Sequence, residues 1–297
     1  MSKEKIPVYD ICNLTKDKCI TDDFLVERFH NYLKIHYAQL HYPHRHSFYH
    51  LVLFTKGNGF HTIDFQKFKV TPYQIYFMSP GQVHSWHFEN NVEGYVINFS
   101  DTFFRSFLLS PNYLERFPFL TGNVAECCFR LPASIQQKTH ALLEEMIKKN
   151  EQPDNDKDIF RILLLKLFLD IHSARATKEK KPVPQLKQQL LQSFKSLIDK
   201  HYSTLKLPKE YANLLHITPN HLNVLCNEML GITAGKMIRD RQILEAKRLL
   251  INADMTITEI ASMLNFEDNS YFNRFFKKSE SITPNEFRKQ LNNIQNL

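Results

Sequence analysis

Apolar and polar positions alternate along residues from about 40 to 100, which predicts β-strands because successive strand side chains point to opposite faces. If the first segment is extended, one face carries His46, Phe48, His50, Val52 and Phe54. Turn signals at 56–59 (Lys-Gly-Asn-Gly) and 79–81 (Ser-Pro-Gly) accompany further apolar runs at 74–78 and 95–99. Short strands at regular spacing favour a sandwich or barrel over a doubly wound sheet.

From about residue 132 the apolar positions recur every three or four residues, which predicts helices at about 133–149 and 158–174. The second helix is apolar on more than one face and must be covered on two sides. We expect the barrel core on one side and the partner subunit of a homodimer on the other, unless the helix is wholly internal. The expected dimer stripe consists of Leu163, Leu164, Leu167 and Phe168.

Residues 176–185 are charged and contain Pro182 and Pro184, which is typical of a linker. Nearly all of the chain beyond them has a helical pattern. The sequence therefore predicts an α+β multidomain protein, with a β-barrel and flanking helices followed by an all-α domain. We place the barrel at 1–131, the dimerisation helices at 132–175, the linker at 176–185 and the helical domain at 186–297.

The helical domain contains an internal repeat. Leu222-Asn223 and Gly231-Ile232-Thr233 align with Phe272-Asn273 and Ser281-Ile282-Thr283 at an offset of fifty residues. Each copy predicts a short helix, a tight turn and a second helix, which is a helix-turn-helix. Thr218, Thr256 and Asp268 are suited to cap helices, and Asn265 tolerates the left-handed backbone of a turn. The second helix of such a unit can enter the major groove of DNA.

Each second helix has an inner and an outer face. Leu222, Leu225 and Met229 are predicted to pack inward in the first copy, and Phe272, Phe275, Phe276 and Ser279 in the second. Asn can pair with adenine and Arg with guanine. The alternative is that both helices have ordinary solvated faces in a helical interaction module. The candidate DNA-binding residues are Thr218, Asn220, His221, Asn223, Val224, Asn227, Asn269, Ser270, Tyr271, Asn273, Arg274 and Lys277.

Composition and charge agree with a nucleic-acid partner. Residues 181–297 contain 16 basic and 11 acidic side chains, a net charge of +5, whereas residues 1–180 contain 22 and 20, a net charge of +2. Only 7 glycines are present, which disfavours Gly-rich nucleotide loops. No segment predicts a signal peptide or a membrane span. The odd number of cysteines, 5, favours free thiols and a cytoplasmic location.

Residues of about 186–291 resemble the double helix-turn-helix domain of AraC-type transcription regulators. The resemblance rests on short motifs across both units: Tyr211-Ala212, Thr218-Pro219-Asn220-His221-Leu222, Gly231, Ile260-Ala261, Phe266 and 271–278 (Tyr-Phe-Asn-Arg-Phe-Phe-Lys-Lys). It implies that a helix over 234–252 joins the units rigidly, so that both enter successive major grooves of promoter DNA. It also implies activation, the role of most members. We further expect RNA polymerase as a partner. Asn265 and Ser281 depart from the family's usual glycines.

The N-terminal third holds nine of the 14 histidines, between His30 and His87. The patterns His44-x-His46-x3-His50 and Ser79-Pro80-Gly81-x-x-His84 resemble the two short motifs of cupin barrels, the usual partner of this DNA-binding domain. The resemblance implies a cupin-like barrel that binds a small-molecule effector. The candidate effector-binding residues are His44, His46, Phe48, His50 and His84.

Three interpretations of the chemistry of this histidine set are open. The four histidines could hold Zn, Fe or Ni, could line a pocket for an organic effector, or could be buried structural residues. We expect no resident cofactor and assign no role to His61 or His87. A metal-binding cupin enzyme or metal sensor fused to a DNA-binding domain is the alternative function. No GxSxG nucleophile motif or acid–base pair accompanies the histidines, so we expect no enzyme.

Overall fold

The computed structural model describes residues 6–14, 23–89, 91–105, 107–108, 110, 113–152, 156–176, 185–251 and 254–295. The chain divides into two compact units, one over Pro7–Lys180 and the other over Lys181–Leu297 together with Met1–Ile6. Residues 177–184 of the predicted linker lie outside the described residues. Within the described ranges, no helix is both long and apolar enough to cross a membrane.

The N-terminal unit contains two five-stranded sheets, with strand orders β1-β3-β8-β5-β6 and β10-β7-β4-β9-β2. Neighbouring strands are antiparallel except for β1 and β3. The strands are β1 Val8–Tyr9, β2 Phe24–Arg28, β3 His44–His46, β4 Tyr49–Lys56, β5 Gly59–Ile63, β6 Gln66–Lys69, β7 Gln74–Met78, β8 Val83–Phe88, β9 Glu93–Phe99 and β10 Cys128–Arg130. This confirms the β-rich N-terminal fold that the alternating pattern predicts.

The extended run expected from His46 to Phe54 is broken at Ser47 and Phe48, so β3 and β4 belong to different sheets. Two backbone hydrogen bonds hold the break. The Ser47 amide donates to the Tyr9 carbonyl at 2.9 Å, and the Gly81 amide donates to the His46 carbonyl at 2.8 Å. Both partners are remote in sequence, so local alternation carries no signal for this change of sheet.

Two helices pack on the second sheet: α3, Ala133–Asn150, and α4, Lys157–Ala176. Earlier in the unit lie α1, Phe29–Leu40, which the sequence pattern did not indicate, and the short α2, Val124–Cys127. The four residues of the expected dimer stripe on α4 are all buried within this chain. Phe168, for example, lies among Phe77, Phe99 and Phe117, with ring centroids 5.6–6.1 Å away.

The dimer-stripe prediction is therefore wrong for these residues, because the sheet's aromatic core and α3 cover both of their sides. The wholly internal arrangement, which was the alternative, describes them. The apolar side chains that α4 does expose are Ile162 and Leu169, at 55% and 38% of their full accessibility.

The C-terminal unit consists of helices α5 Gln185–His201, α6 Pro208–Leu214, α7 Pro219–Leu230, α8 Ala234–Leu250, α9 Ile257–Met263, α10 Asn269–Glu280 and α11 Pro284–Gln295. The predicted caps are present. Thr218 accepts the His221 amide at 3.1 Å, and Asp268 accepts the Tyr271 amide at 2.6 Å. Thr256 and Glu259 form a reciprocal capping box.

The turns of the two helix-turn-helix units use the left-handed backbone region. His216 and Asn265 both have φ of 54°, and Gly231 and Ser281, which follow the second helices, have φ of 70° and 66°. Asn265 thus adopts the predicted conformation. The inner faces are as expected except for Ser279, which is exposed because it lies just beyond the buried Phe272–Phe276 side of α10.

Candidate functional site

Helices α7 and α10 present most of the predicted DNA-binding residues to solvent. The exposed members of the set are Thr218, Asn220, His221, Val224, Asn227, Asn269, Ser270, Tyr271, Arg274 and Lys277. The apolar side of each helix is buried, through Leu222, Leu225 and Cys226 in α7 and through Phe272 and Phe276 in α10. Packing of this side fixes the direction in which the polar side faces.

The two remaining candidates, Asn223 and Asn273, are half-buried and bonded to their own units. Asn223 Oδ1 accepts the Ala234 amide at 3.1 Å, which ties α7 to the start of α8. Asn273 Nδ2 donates to the Asn269 carbonyl and side-chain oxygens at 2.7 and 2.8 Å. These bonds use the amide groups that would read a base, so each Asn has a structural function in the free protein.

Charge differs between the two exposed faces. In α10, Arg274, Lys277 and Lys278 are exposed cations. The charged residue of α7 is Glu228, which pairs with Lys187 of α5 at 2.5 Å. A cationic helix can approach phosphates, whereas α7 offers neutral polar groups.

In the N-terminal unit, five buried histidines form a cluster between the two sheets. His44 and His46 come from β3, His84 from β8, His61 from β5 and His50 from β4 of the other sheet. Each is exposed by 2% or less. His46 Nε2 lies 2.7 Å from His84 Nε2, and His84 Nδ1 lies 2.9 Å from His61 Nε2, so three rings form a hydrogen-bonded chain.

Two further contacts fix ring protons in this cluster. His44 Nδ1 donates to the Tyr42 carbonyl at 2.8 Å, and His50 Nδ1 donates to Asn98 Oδ1 at 2.7 Å. Burial lowers the pKa of His44 to about 4 and that of His50 to about 3. It also lowers the pKa values of His46, His61 and His84 well below their usual range. All five rings are therefore neutral at neutral pH, each with one N–H and one lone pair.

Both units match known families. Residues 32–170 match the AraC-like ligand binding domain, and residues 211–290 match a helix-turn-helix domain. This chain is an AraC-type transcription regulator. It is 22% identical to the HTH-type transcriptional activator RhaR of Cronobacter sakazakii, over 83% of this chain and 86% of the relative.

Two other similar proteins illustrate the range of matches. The uncharacterized HTH-type transcriptional regulator YisR of Bacillus subtilis is 25% identical over 53% of this chain, which spans about half the length of that relative (52%). The crystal structure of ToxT from Vibrio cholerae aligns with 90% of this chain and 98% of its own at 14% identity, with a TM-score of 0.44.

The tertiary structure of this AraC-type regulator brings together all five residues predicted for the effector site. Phe48, in the break between β3 and β4, packs against His46 with ring centroids 4.5 Å apart. His61, to which the sequence assigned no role, also belongs to the cluster. Its alternation with Ile63 indicated a strand, but only the pairing of β5 with β8 places it beside His84. His87 is exposed.

Proposed function

We propose that this AraC-type regulator binds promoter DNA with α7 and α10 in two successive major grooves, and that a small-molecule effector bound in the N-terminal unit controls its activity. The observation that carries the DNA-binding proposal is the duplication. Two units fifty residues apart have a side-chain cap at the equivalent position of their second helix and the same left-handed turns, and both expose the equivalent face of that helix.

The contacts around α8 support simultaneous binding of both helices, because they join the two units firmly. Arg241 of α8 pairs with Asp199 of α5 at 2.8 Å, and Lys247 of α8 pairs with Glu280 of α10 at 2.9 Å. Lys206, just before α6, donates to the carbonyl of Asn265 in the second unit's turn and lies 3.8 Å from the centroid of the Phe266 ring. A rigid spacing between α7 and α10 favours operator half-sites at a fixed separation.

Selection of bound duplexes from a random DNA library, with the full chain as bait, tests this proposal and itself identifies the operator sequence. We expect two enriched blocks about one helical turn, roughly 10 base pairs, apart. Their binding should weaken steeply with salt, because phosphate contacts release counterions. Recovery of no enriched sequence, or binding that does not depend on salt, would contradict the proposal.

We further propose activation, a cytoplasmic location and RNA polymerase as a partner, since the relative that aligns over most of this chain is named an activator. A reporter gene placed behind the selected operator tests activation. Its expression should rise when the regulator is produced, and a fall would indicate repression. The alternative of a cupin enzyme would need a catalytic acid or base near the histidines. The buried carboxylate Asp64 already accepts from Gln82 and from the Val83 amide.

The homodimer remains a proposal, and the candidate surface is now the exposed side of α4. Ile162 and Leu169 are seven residues apart and therefore lie on one helix face. Ile162→Asp should shift the sedimentation of the full chain from dimer to monomer without unfolding it. Leu164→Asp is the contrasting variant. It should unfold the N-terminal unit, because its charge would be buried in the core. A wild-type monomer at micromolar concentration would contradict the dimer.

A further inference from the structure

The histidine cluster contains buried ring nitrogens that lack hydrogen-bond partners among the described residues. They are Nε2 of His44, Nδ1 of His46, Nε2 of His50 and Nδ1 of His61. Buried polar atoms in proteins nearly always have a partner, and leaving one unpaired is costly. Four such atoms in one place indicate a site built for a further group, rather than a set of satisfied core histidines.

The proton positions show what kind of group would fit. His44 and His50 each use Nδ1–H as a donor to an outer oxygen, so their Nε2 atoms carry lone pairs. Nε2 of His46 and Nε2 of His84 face each other at 2.7 Å. One nitrogen from each of His44, His46 and His84 lies within 4.8 Å of the other two. A metal ion accepts lone pairs from several neutral imidazoles at once, and three converging ring nitrogens fit one.

We infer that His44, His46 and His84 bind one divalent transition-metal ion, which makes the interior of the N-terminal unit a metal site. Neutral imidazoles favour Zn²⁺, Co²⁺, Ni²⁺, Cu²⁺ or Fe²⁺, whereas Mg²⁺ and Ca²⁺ prefer oxygen ligands. The site assignment goes beyond the proposed function and does not depend on DNA binding. A role for the ion in regulation would rest on that function.

The required rearrangement is a local movement of the three rings, whose ligand nitrogens now lie within 4.8 Å of one another. Metal–nitrogen distances of about 2.0–2.1 Å in a tetrahedral site place the ligand nitrogens about 3.4 Å apart. Nε2 of His46 and His84 would therefore separate by about 0.7 Å. The proton between them would move to Nδ1 of the same ring, which leaves both rings neutral. Three protein ligands leave a fourth position open, next to His50, whose ring centroid lies 4.9 Å from that of His46.

The surrounding bonds match those of an outer ligand shell, in which a metal-bound histidine donates its other N–H to a fixed acceptor. The Tyr42 carbonyl holds His44 in this way, and His61 Nε2 is placed 2.9 Å from His84 Nδ1 to accept its proton. His61 is thus a positioning residue, which orients His84 without contacting the ion itself.

Metal analysis of the untagged full chain tests the inference. The protein is stripped with a chelator, loaded separately with Zn²⁺, Co²⁺ or Mg²⁺, and dialysed. We expect about one Zn²⁺ or Co²⁺ per chain, visible absorption from tetrahedral Co²⁺, and a higher melting temperature with Zn²⁺ than with Mg²⁺. If the wild-type chain retains neither Zn²⁺ nor Co²⁺ and neither ion changes its melting temperature, the inference is overturned without recourse to variants.

Variants locate the site. His46→Asn and His84→Asn should abolish stoichiometric binding, and His61→Asn should weaken Co²⁺ affinity about tenfold to a hundredfold while retaining the absorption band. His87→Asn is the matched control, because His87 lies on the same strand as His84 but is exposed. It should bind like the wild type. Circular dichroism checks the fold of each variant. Unchanged binding by folded His46→Asn and His84→Asn, or lost binding by His87→Asn, would place the ion elsewhere and overturn the assignment.

Discussion

The two helix-turn-helix units share a backbone design but expose different side chains. At an offset of fifty, Thr218 and Asp268 cap equivalent helices, and Gly231 and Ser281 end them in the same left-handed conformation. On the exposed faces, however, Val224 corresponds to Arg274, and Asn227 to Lys277. The turn and the caps are set by backbone geometry, whereas the outer face is free to vary with the DNA that it meets.

The comparison also separates structural polar residues from candidate contacts. Asn223 and Asn273 are equivalent, yet only Asn223 bonds to the start of the following helix. Position 284, the counterpart of Ala234, is a proline and has no amide hydrogen to donate. Asn273 bonds within α10 instead. The same residue type at the same place in a repeat therefore need not have the same function.

The largest expected effect comes from the most divergent exposed pair. Arg274→Ala should reduce the free energy of binding to the selected operator by about 1–3 kcal/mol and relax base preference at one position. Val224→Ala, the matched change in α7, should have a much smaller effect, because it removes only an exposed apolar contact. Fluorescence anisotropy with specific and random duplexes measures both. Equal losses on the two duplexes would show that Arg274 contacts only phosphate.

Next in size is the loss of a helix cap, and here the two units should behave alike. Thr218→Ala and Asp268→Ala should each lower the free energy of unfolding by about 1 kcal/mol, because each removes the acceptor of a first-turn amide. Urea unfolding followed by circular dichroism gives the values. The neighbouring exposed change Ser270→Ala serves as the control. If one of the two cap variants unfolds like the wild type, the second helix of that unit does not depend on its cap, and the two units are not stabilised alike.

Exchanging serine and glycine at the ends of α7 and α10 should change the stability of the protein in opposite directions. Ser281→Gly should stabilise the protein, and Gly231→Ser should destabilise it, each by about 1 kcal/mol, since only glycine adopts positive φ without a steric penalty. A Cβ at Gly231 would meet no atom within 4 Å, so the cost is conformational rather than a clash. Thermal unfolding of both variants measures the shifts, and shifts of the same sign would refute this explanation.

The smallest expected effect concerns salt. Lys277→Ala should weaken binding to all duplexes by a similar, modest factor and reduce the slope of log affinity against log salt by about 1. Asn227→Lys, the reciprocal change in α7, should steepen that slope by a similar amount if α7 also lies along phosphates. Anisotropy titrations at several salt concentrations test both variants. An unchanged slope for Asn227→Lys would mean that α7 does not approach the backbone closely.

Local sequence signals were sufficient for most of the helical unit. The caps at Thr218, Thr256 and Asp268 and the left-handed Asn265 were all predictable, because each depends on residues within four positions. The internal repeat predicted that this domain contains two equivalent helix-turn-helix units. Ser279 was misplaced because a helical period alone does not say where the buried stripe ends.

For the N-terminal unit, the sequence by itself determined that strands, turns and a histidine set exist, since alternation and turn residues are local properties. Only the tertiary structure decided that His46 and His50 meet from two different sheets, that His61 joins them, and that Leu164 faces the core of its own chain. Strand register and sheet packing depend on residues far apart in the chain. The identity of a neighbour across a sheet is therefore not encoded in any short segment.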